Sequence, residues 1–330
     1  MKLTRQNLFE KTNQIYDVIV VGGGAGGLSA GIYLQRYLLS SLIIDKGKAR
    51  SVWMQELHNY LGLPPDTPGK TLLKQGKEHY LELGGDLLNA YVQEIIDEGE
   101  TFLVRVKVGR ANSTYVEFRA RYIIAASGII DHLPALEKMQ NVFDYAGYNL
   151  HVCLLCDGYE MQDKKVGVFA SSDNASQVAF SLGWFTQNIT VFTQGLFEPS
   201  SELRRKLDRH GYSLIQTPVK QFLGANHQMS GVELDDGSVV DLEAGLISMG
   251  SRYHSDYLQN IDLEYQGGNL VTDKMGRTSH SKIFALGDLK VGMNQAIIAA
   301  ADGAKSATQI WRDIRRNTGD RNGSSNTLAA

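Results

Sequence analysis

The stretch YDVIVVGGGAGGLSAGIYLQRYLLSSLIIDKG, Tyr16 to Gly47, constrains this chain more than any other. Asp17 to Val21 is mostly β-branched and apolar, the composition of a strand buried in a parallel sheet. Gly22, Gly24 and Gly27 follow at the spacing G-x-G-x-x-G, with Ala25 inside the same turn. Leu28 to Leu39 then reads as a helix, and Leu42 to Ile44 as a second strand ended by Asp45. Each position has a physical task. Gly22 permits a tight turn, Gly24 lets the backbone approach a pyrophosphate, and Gly27 lets helix and strand pack closely. Asp45 stands where a carboxylate accepts hydrogen bonds from ribose hydroxyls. Strand, helix, second strand and acid together predict a βαβ unit that binds a dinucleotide. The motif alone does not separate FAD from NAD.

A second stretch, KIFALGDLKVGMNQAIIAAADGAKSATQIW, runs from Lys282 to Trp311. Ile283 to Leu286 reads as a short buried strand with Gly287-Asp288 at its carboxyl end, where open α/β sheets bind ligands. Asn294 to Trp311 reads as a helix rich in small residues, whose N-terminus can stabilise partial negative charge on a ring.

With 330 residues there is chain enough for two domains. The formal net charge of −3 gives no bulk attraction to nucleic acid or to an anionic membrane. No apolar run reaches the length of a membrane span. The polar start MKLTRQNLFEKTNQ lacks the apolar core of an export signal, so a cytoplasmic location is expected. Disulfides there are ordinarily transient and catalytic. The chain has two cysteines, Cys153 and Cys156, both in HVCLLCDGYEMQ. Two cysteines make no disulfide framework, and no His pair stands near them at zinc spacing, so no metal is expected. A CxxC pair beside an electron carrier is redox chemistry: one thiolate attacks a disulfide and the other resolves the mixed disulfide.

The glycine motif, CxxCDG and the late GD…Q-A…AA-DGA pattern together resemble the low-molecular-weight thioredoxin reductases, over nearly the whole chain from about Tyr16 to Arg316. The resemblance implies an α/β, two-domain, Rossmann-like fold of three-layer ββα type, a flavoprotein disulfide reductase fold with a smaller inserted nucleotide-binding-like domain. It implies FAD as cofactor and a homodimer. Residues 15–128 with 251–316 would form a split FAD domain, 129–250 the insert carrying the CxxC, and 317–330 a polar, disordered tail. Asp288 would bond the ribityl chain, and Gln295 and Ala296 would present backbone N–H groups to the isoalloxazine. Gly128, ending the IIAASG strand and turn, and Gly287 join the expected cofactor contacts. Cys156 would lie against the flavin, Cys153 would face a dithiol or disulfide partner, Asp157 would carry the proton, and Gly158 would allow the turn behind it.

The sequence departs from that family where NADPH should bind. Val166 to Phe169, Asn174 to Leu182 and Ile189 to Phe192 supply strand, helix and strand. The glycines between them are replaced by Ala170, Ser172 and Ala175. A side chain at Ser172 obstructs a pyrophosphate. Thr193-Gln194-Gly195 offers no cation for a 2′-phosphate and no acid for a ribose, and Arg204 and Arg205 are assigned to a solvated helix face. The expectation is an enzyme that does not use NAD(P)H. Its electrons would be exchanged with a ferredoxin-type protein or with a second FAD or other flat ligand among Trp184, Phe185, Phe192, Tyr253 and His254. Leu154-Leu155 also departs from the small polar residues usual inside the reductase pair. CLLCDGYE is similar to the flavin-dependent dithiol oxidases as well, although Asp157 agrees better with the reductases. Three readings therefore stand: a disulfide oxidoreductase without an NADPH site, an oxygen-using oxidase of a small-molecule dithiol, and a flavin-bound redox sensor. Trp53 either shields the flavin or packs in the ordinary way, and His132 and His151 show no pairing that carries a catalytic role.

Overall fold

Six strands of the first half, β1 (Ile15–Val21), β2 (Ser41–Asp45), β3 (Asp86–Asn89), β4 (Tyr91–Asp97), β5 (Phe102–Val108) and β6 (Thr114–Ala125), join Ile283–Ala285 in one sheet. The computed structural model describes residues 1–3, 8–109, 114–133 and 141–318. The strand order is β3-β2-β1-β6-β5-β4, with Ile283–Ala285 also paired to β6. β6 changes neighbour along its length. Thr114 to Ala120 pairs antiparallel with β5, and Arg119 to Ala125 pairs parallel with β1. One strand thus belongs to an antiparallel meander at one end and to a parallel sheet at the other.

The two-residue period of the strands sorts the core into layers. Ile19, Val21, Leu42 and Ile44 pack with Val92, Phe102, Val104 and Phe118 of the meander. Val18, Val20 and Ile43 face the other way, onto Leu28, Leu34, Leu73 and Tyr80 of the helices Ala25–Arg36 and Gly69–Glu82. Fully burying each such aliphatic side chain stabilises the fold by about 1.5–3 kcal/mol. The helix Ala25–Arg36 also packs on the long helix Ala296–Thr318. A Cβ on Gly303 would lie 2.2 Å from the Gly26 carbonyl oxygen, so the small residues there set how closely the helices approach. Ser29 Oγ donates to the Ala300 carbonyl at 2.7 Å, and the Tyr37 and Trp311 rings stack at 5.0 Å.

The chain divides into two compact units, Met1–Val52 with Gly69–Ile129 and Tyr253–Ala330, and Trp53–Pro68 with Ile130–Arg252. The second unit repeats the layering on a smaller scale. Its parallel sheet runs Ser213–Ile215, Ile189–Phe192, Val166–Ala170, Ala244–Ser248, Leu150–His151. Phe169 and Phe192 pack against Phe222 and Val232 of an antiparallel sheet, while Val168 and Val191 face Leu182, Leu203 and Leu207 of the helices. Trp53–Pro68 departs from the contiguous 15–128 segment expected from the sequence. The Trp53 ring stacks on Phe143 at 5.5 Å, and a Cβ on Gly147 would meet the Trp53 carbonyl oxygen at 2.0 Å.

Other boundaries shift for identifiable reasons. The expected helix Leu28–Leu39 runs Ala25–Arg36, because it starts directly from Gly24 and stops before Leu38, whose φ is 59°. The expected helix Asn174–Leu182 is instead two short turns, Asp173–Ser176 and Val178–Leu182. Asn294–Trp311 becomes Ala296–Thr318, extended by Arg315 lying over the Trp311 ring and by the Asp313–Arg277 ion pair. Asn317 and Thr318 of the expected tail are therefore helical, and the rest of that tail lies outside the described residues. No described helix is long and apolar enough to cross a membrane.

Candidate functional site

In the first unit the parallel strands bring the expected cofactor residues to one edge. β1 ends at Val21 before Gly22, β2 ends at Asp45, β6 leads through Ala126 and Ser127 to Gly128, and Ile283–Ala285 leads to Gly287-Asp288. These are carboxyl ends of neighbouring strands. Gly22 has φ +112° and faces the Ala126 carbonyl, which an added Cβ would approach to 2.3 Å. A Cβ on Gly27 would stand 1.9 Å from the Gly22 carbonyl oxygen, so helix and turn touch through it. Gly24 differs: nothing comes nearer to its Cβ position than Ala49 Cβ at 4.0 Å. It caps the helix Ala25–Arg36 with no side-chain hydrogen bond. A helix start that is open in front and not capped by its own side chain suits an anion. The residues therefore fit a dinucleotide pyrophosphate.

Two cations that sequence patterns gave no sign of attend the acids. Lys77 Nζ lies 2.8 Å from Asp45 Oδ2, and Asp45 Oδ1 accepts the Gly47 N–H at 3.1 Å. Both carboxylate oxygens keep further lone pairs for ribose hydroxyls. Arg50 Nη1 lies 3.7 Å from Asp288 Oδ2. Gln295 and Ala296 open the helix Ala296–Thr318, the Ala299 N–H returning to the Gln295 carbonyl at 2.9 Å.

In the second unit Cys153 and Cys156 form a disulfide, their Cα atoms 5.3 Å apart. Cys153 caps the one-turn helix Leu154–Asp157, and its Sγ accepts the Cys156 N–H at 3.1 Å. Leu155 and Tyr159 are 69% and 75% exposed, so the pair has an apolar surround. Gly158 is right-handed helical, not a left-handed turn: its missing Cβ admits the Phe185 ring, which would stand 2.6 Å away. His151 does have a partner, contrary to the expectation from sequence. Its Nδ1 lies 3.2 Å from Asp157 Oδ2, with His151 8% and Asp157 22% exposed. The two meet because the strand Leu150–His151 runs beside the turn, a tertiary placement that no local spacing signals.

The loop after Val166–Ala170 is built unlike its counterpart after β1. Ser172 caps Asp173–Ser176 with its own hydroxyl, which accepts the Ala175 N–H at 3.1 Å. Asp173 puts a carboxylate in the first turn and accepts the Ser200 N–H at 3.2 Å. Arg204 and Arg205 stand on the helix Ser201–His210; Arg205 is exposed, and Arg204, 40% exposed, pairs with Glu198 and with Gln216 Oε1 at 3.0 Å. Trp184 is 88% exposed, whereas Phe192 and His254 are buried and Phe185 packs on Gly158. Among the described residues no group of three or more His, Cys, Asp or Glu is arranged to hold a metal.

The sequence profile of the family described as pyridine nucleotide-disulphide oxidoreductase matches residues 16–303. The thioredoxin reductase of Aquifex aeolicus is 25% identical over 92% of this chain and 95% of its own. That of Bacillus subtilis is 25% identical over 90% of this chain and 94% of its own. The crystal structure of a putative thioredoxin reductase TrxB from Bacillus anthracis superimposes with a TM-score of 0.80 at 22% identity, covering 92% of this chain and 100% of that one.

Proposed function

Because the chain belongs to the pyridine nucleotide-disulphide oxidoreductase family, we propose that it is a thioredoxin reductase-like, FAD-dependent disulfide oxidoreductase that works without NADPH. The observation that carries the second half of this reading is the self-capped helix start at Ser172-Asp173. A pyrophosphate would have to displace the Ser172 hydroxyl and approach the Asp173 carboxylate, whose like charge opposes it. The helix behind it lasts one turn, and Arg204 is already engaged by an acid.

FAD, when bound, supplies the two-electron store for the disulfide. Gly22, Gly24, Ala25 and Gly27 would hold its pyrophosphate, and Asp45 its ribose. Asp288 with Gly287 and Gly128 would hold the ribityl region, and Gln295 and Ala296 the ring. The protein's own chemistry lies at the pair. With Cys153 and Cys156 reduced, the Cys153 thiolate attacks a partner disulfide and a mixed disulfide forms as one partner sulfur leaves. Cys156 then attacks Cys153 Sγ, releasing the second partner sulfur and restoring the Cys153–Cys156 disulfide. The partner gains the two electrons the pair loses, and the two thiol protons pass to the departing sulfurs through Asp157. A thioredoxin-like protein is the partner class the relatives' names suggest. The donor is then a ferredoxin-type protein or a second flat cofactor in the second unit.

The test is to mix flavin-loaded protein with NADPH without oxygen and follow the flavin absorbance. No bleaching beyond a slow background is expected, and rapid full bleaching overturns the proposal. The exposed apolar pair of Leu155 and Tyr159 favours one second reading, oxidation of a small apolar dithiol by oxygen. Fast reoxidation by oxygen with peroxide release after dithiol reduction distinguishes it. Cys156→Ser abolishes turnover under either reading.

A further inference from the structure

Thiol–disulfide exchange stalls when a departing thiolate finds no proton or when the attacking thiol keeps its own. Asp157 is the proton carrier already assigned, and the structure adds behind it a group, His151, that neither the CxxC motif nor the family match assigns. Asp157 sits one turn beyond Cys153, its N–H donating to the Cys153 carbonyl at 3.1 Å. Behind it, His151 Nδ1 stands 3.2 Å from Asp157 Oδ2. His151 is nearly buried and fixed on a strand paired through Leu246 to the parallel sheet. Asp157 is the more exposed of the two and ends the one-turn helix that Cys153 caps.

We propose that His151 is the positioning residue for Asp157, its Nδ1–H donating to the carboxylate and aiming it at the cysteine sulfurs. This rests on the disulfide reading above. In the exchange, Asp157 accepts the proton of one cysteine thiol as that sulfur attacks, and returns it to the partner sulfur as the partner S–S bond breaks. The electron pair goes from the cysteines to the partner, and no proton is gained or lost overall. His151 holds the carboxylate in one orientation through both transfers. A buried imidazole donating to a catalytic carboxylate plays for Asp157 the role that an orienting group plays for a general base elsewhere.

The experiment uses the flavin-loaded full chain, its disulfide pre-reduced, with the aromatic disulfide 5,5′-dithiobis(2-nitrobenzoate) as probe in single-turnover mixing. His151→Phe keeps the ring volume and removes the donor. His151→Asn places an amide N–H near the Nδ1 position. The maximal exchange rate of His151→Phe is expected to fall by about tenfold or more with the half-saturating probe concentration little changed. His151→Asn is expected to recover most of that rate. Asp157→Asn should fall as far, and the double variant His151→Phe/Asp157→Asn no further, since the two act as a unit. Wild-type rates in His151→Phe, no recovery in His151→Asn, or additive losses in the double variant overturn the proposal. Should His151→Phe fail to fold, the Asn and Asp157 variants still decide it, recovery in His151→Asn alongside loss in Asp157→Asn being the supporting result. Failure of the underlying reading looks different: Cys156→Ser would then keep full turnover, whatever His151 does.

Discussion

At the scale of single residues, Gly27 is the least replaceable position of the first glycine motif. Its Cβ would lie 1.9 Å from the Gly22 carbonyl oxygen, which belongs to backbone and cannot rotate away. Gly27→Ala is expected to destabilise the protein by about 1–3 kcal/mol, an overpacking cost, read as a lower urea midpoint at unchanged slope. The sequence spacing pointed to this residue and to its reason, because a short motif fixes its own local geometry. It also pointed to Ser172 as an obstruction. That the hydroxyl turns inward to cap its own helix depends on backbone angles, φ −165° and ψ 167°, that no spacing specifies. His151 was illegible for another reason. Its partner Asp157 is near in sequence, but the contact requires an edge strand and a following turn to lie side by side.

Elements were legible wherever an apolar run was both long and regular. Val166–Ala170 and Ile189–Phe192 fall within one residue of the strands read from the sequence. The helix after Ser172 was not, because its break is made by polar side chains. Ser176 Oγ donates back to the Ser172 carbonyl at 3.0 Å, a bond that competes with helix continuation. Ser172→Ala removes the cap and is expected to cost about 1 kcal/mol, measurable by denaturant unfolding. It should leave NADPH unable to reduce the flavin, since Asp173 remains in the first turn.

Across the whole molecule, three buried tyrosines set the alkaline limit of stability. Burial, and for Tyr16 the neighbouring Asp86, hold the phenols of Tyr16, Tyr80 and Tyr257 well above the usual tyrosine range. In the unfolded chain these groups lose their protons near pH 10. Their contribution is therefore complete below about pH 10 and is lost as pH rises above it, by up to about 1.4 kcal/mol per pH unit for each tyrosine. Urea midpoints measured from pH 8 to 11 should fall above pH 10, and Tyr80→Phe should make the fall less steep. The division into two units was readable from where the glycine motif and GD segment stand, but Trp53–Pro68 carries no periodic signal to reveal its allegiance. Its stacking on Phe143 has a further consequence. The chain passes from one unit to the other four times, so neither is encoded by one uninterrupted stretch. A graft of residues 130–252 into a related scaffold would leave Phe143 without the Trp53 ring and Gly147 facing nothing. Exchange of the redox half by recombination has to move two pieces together.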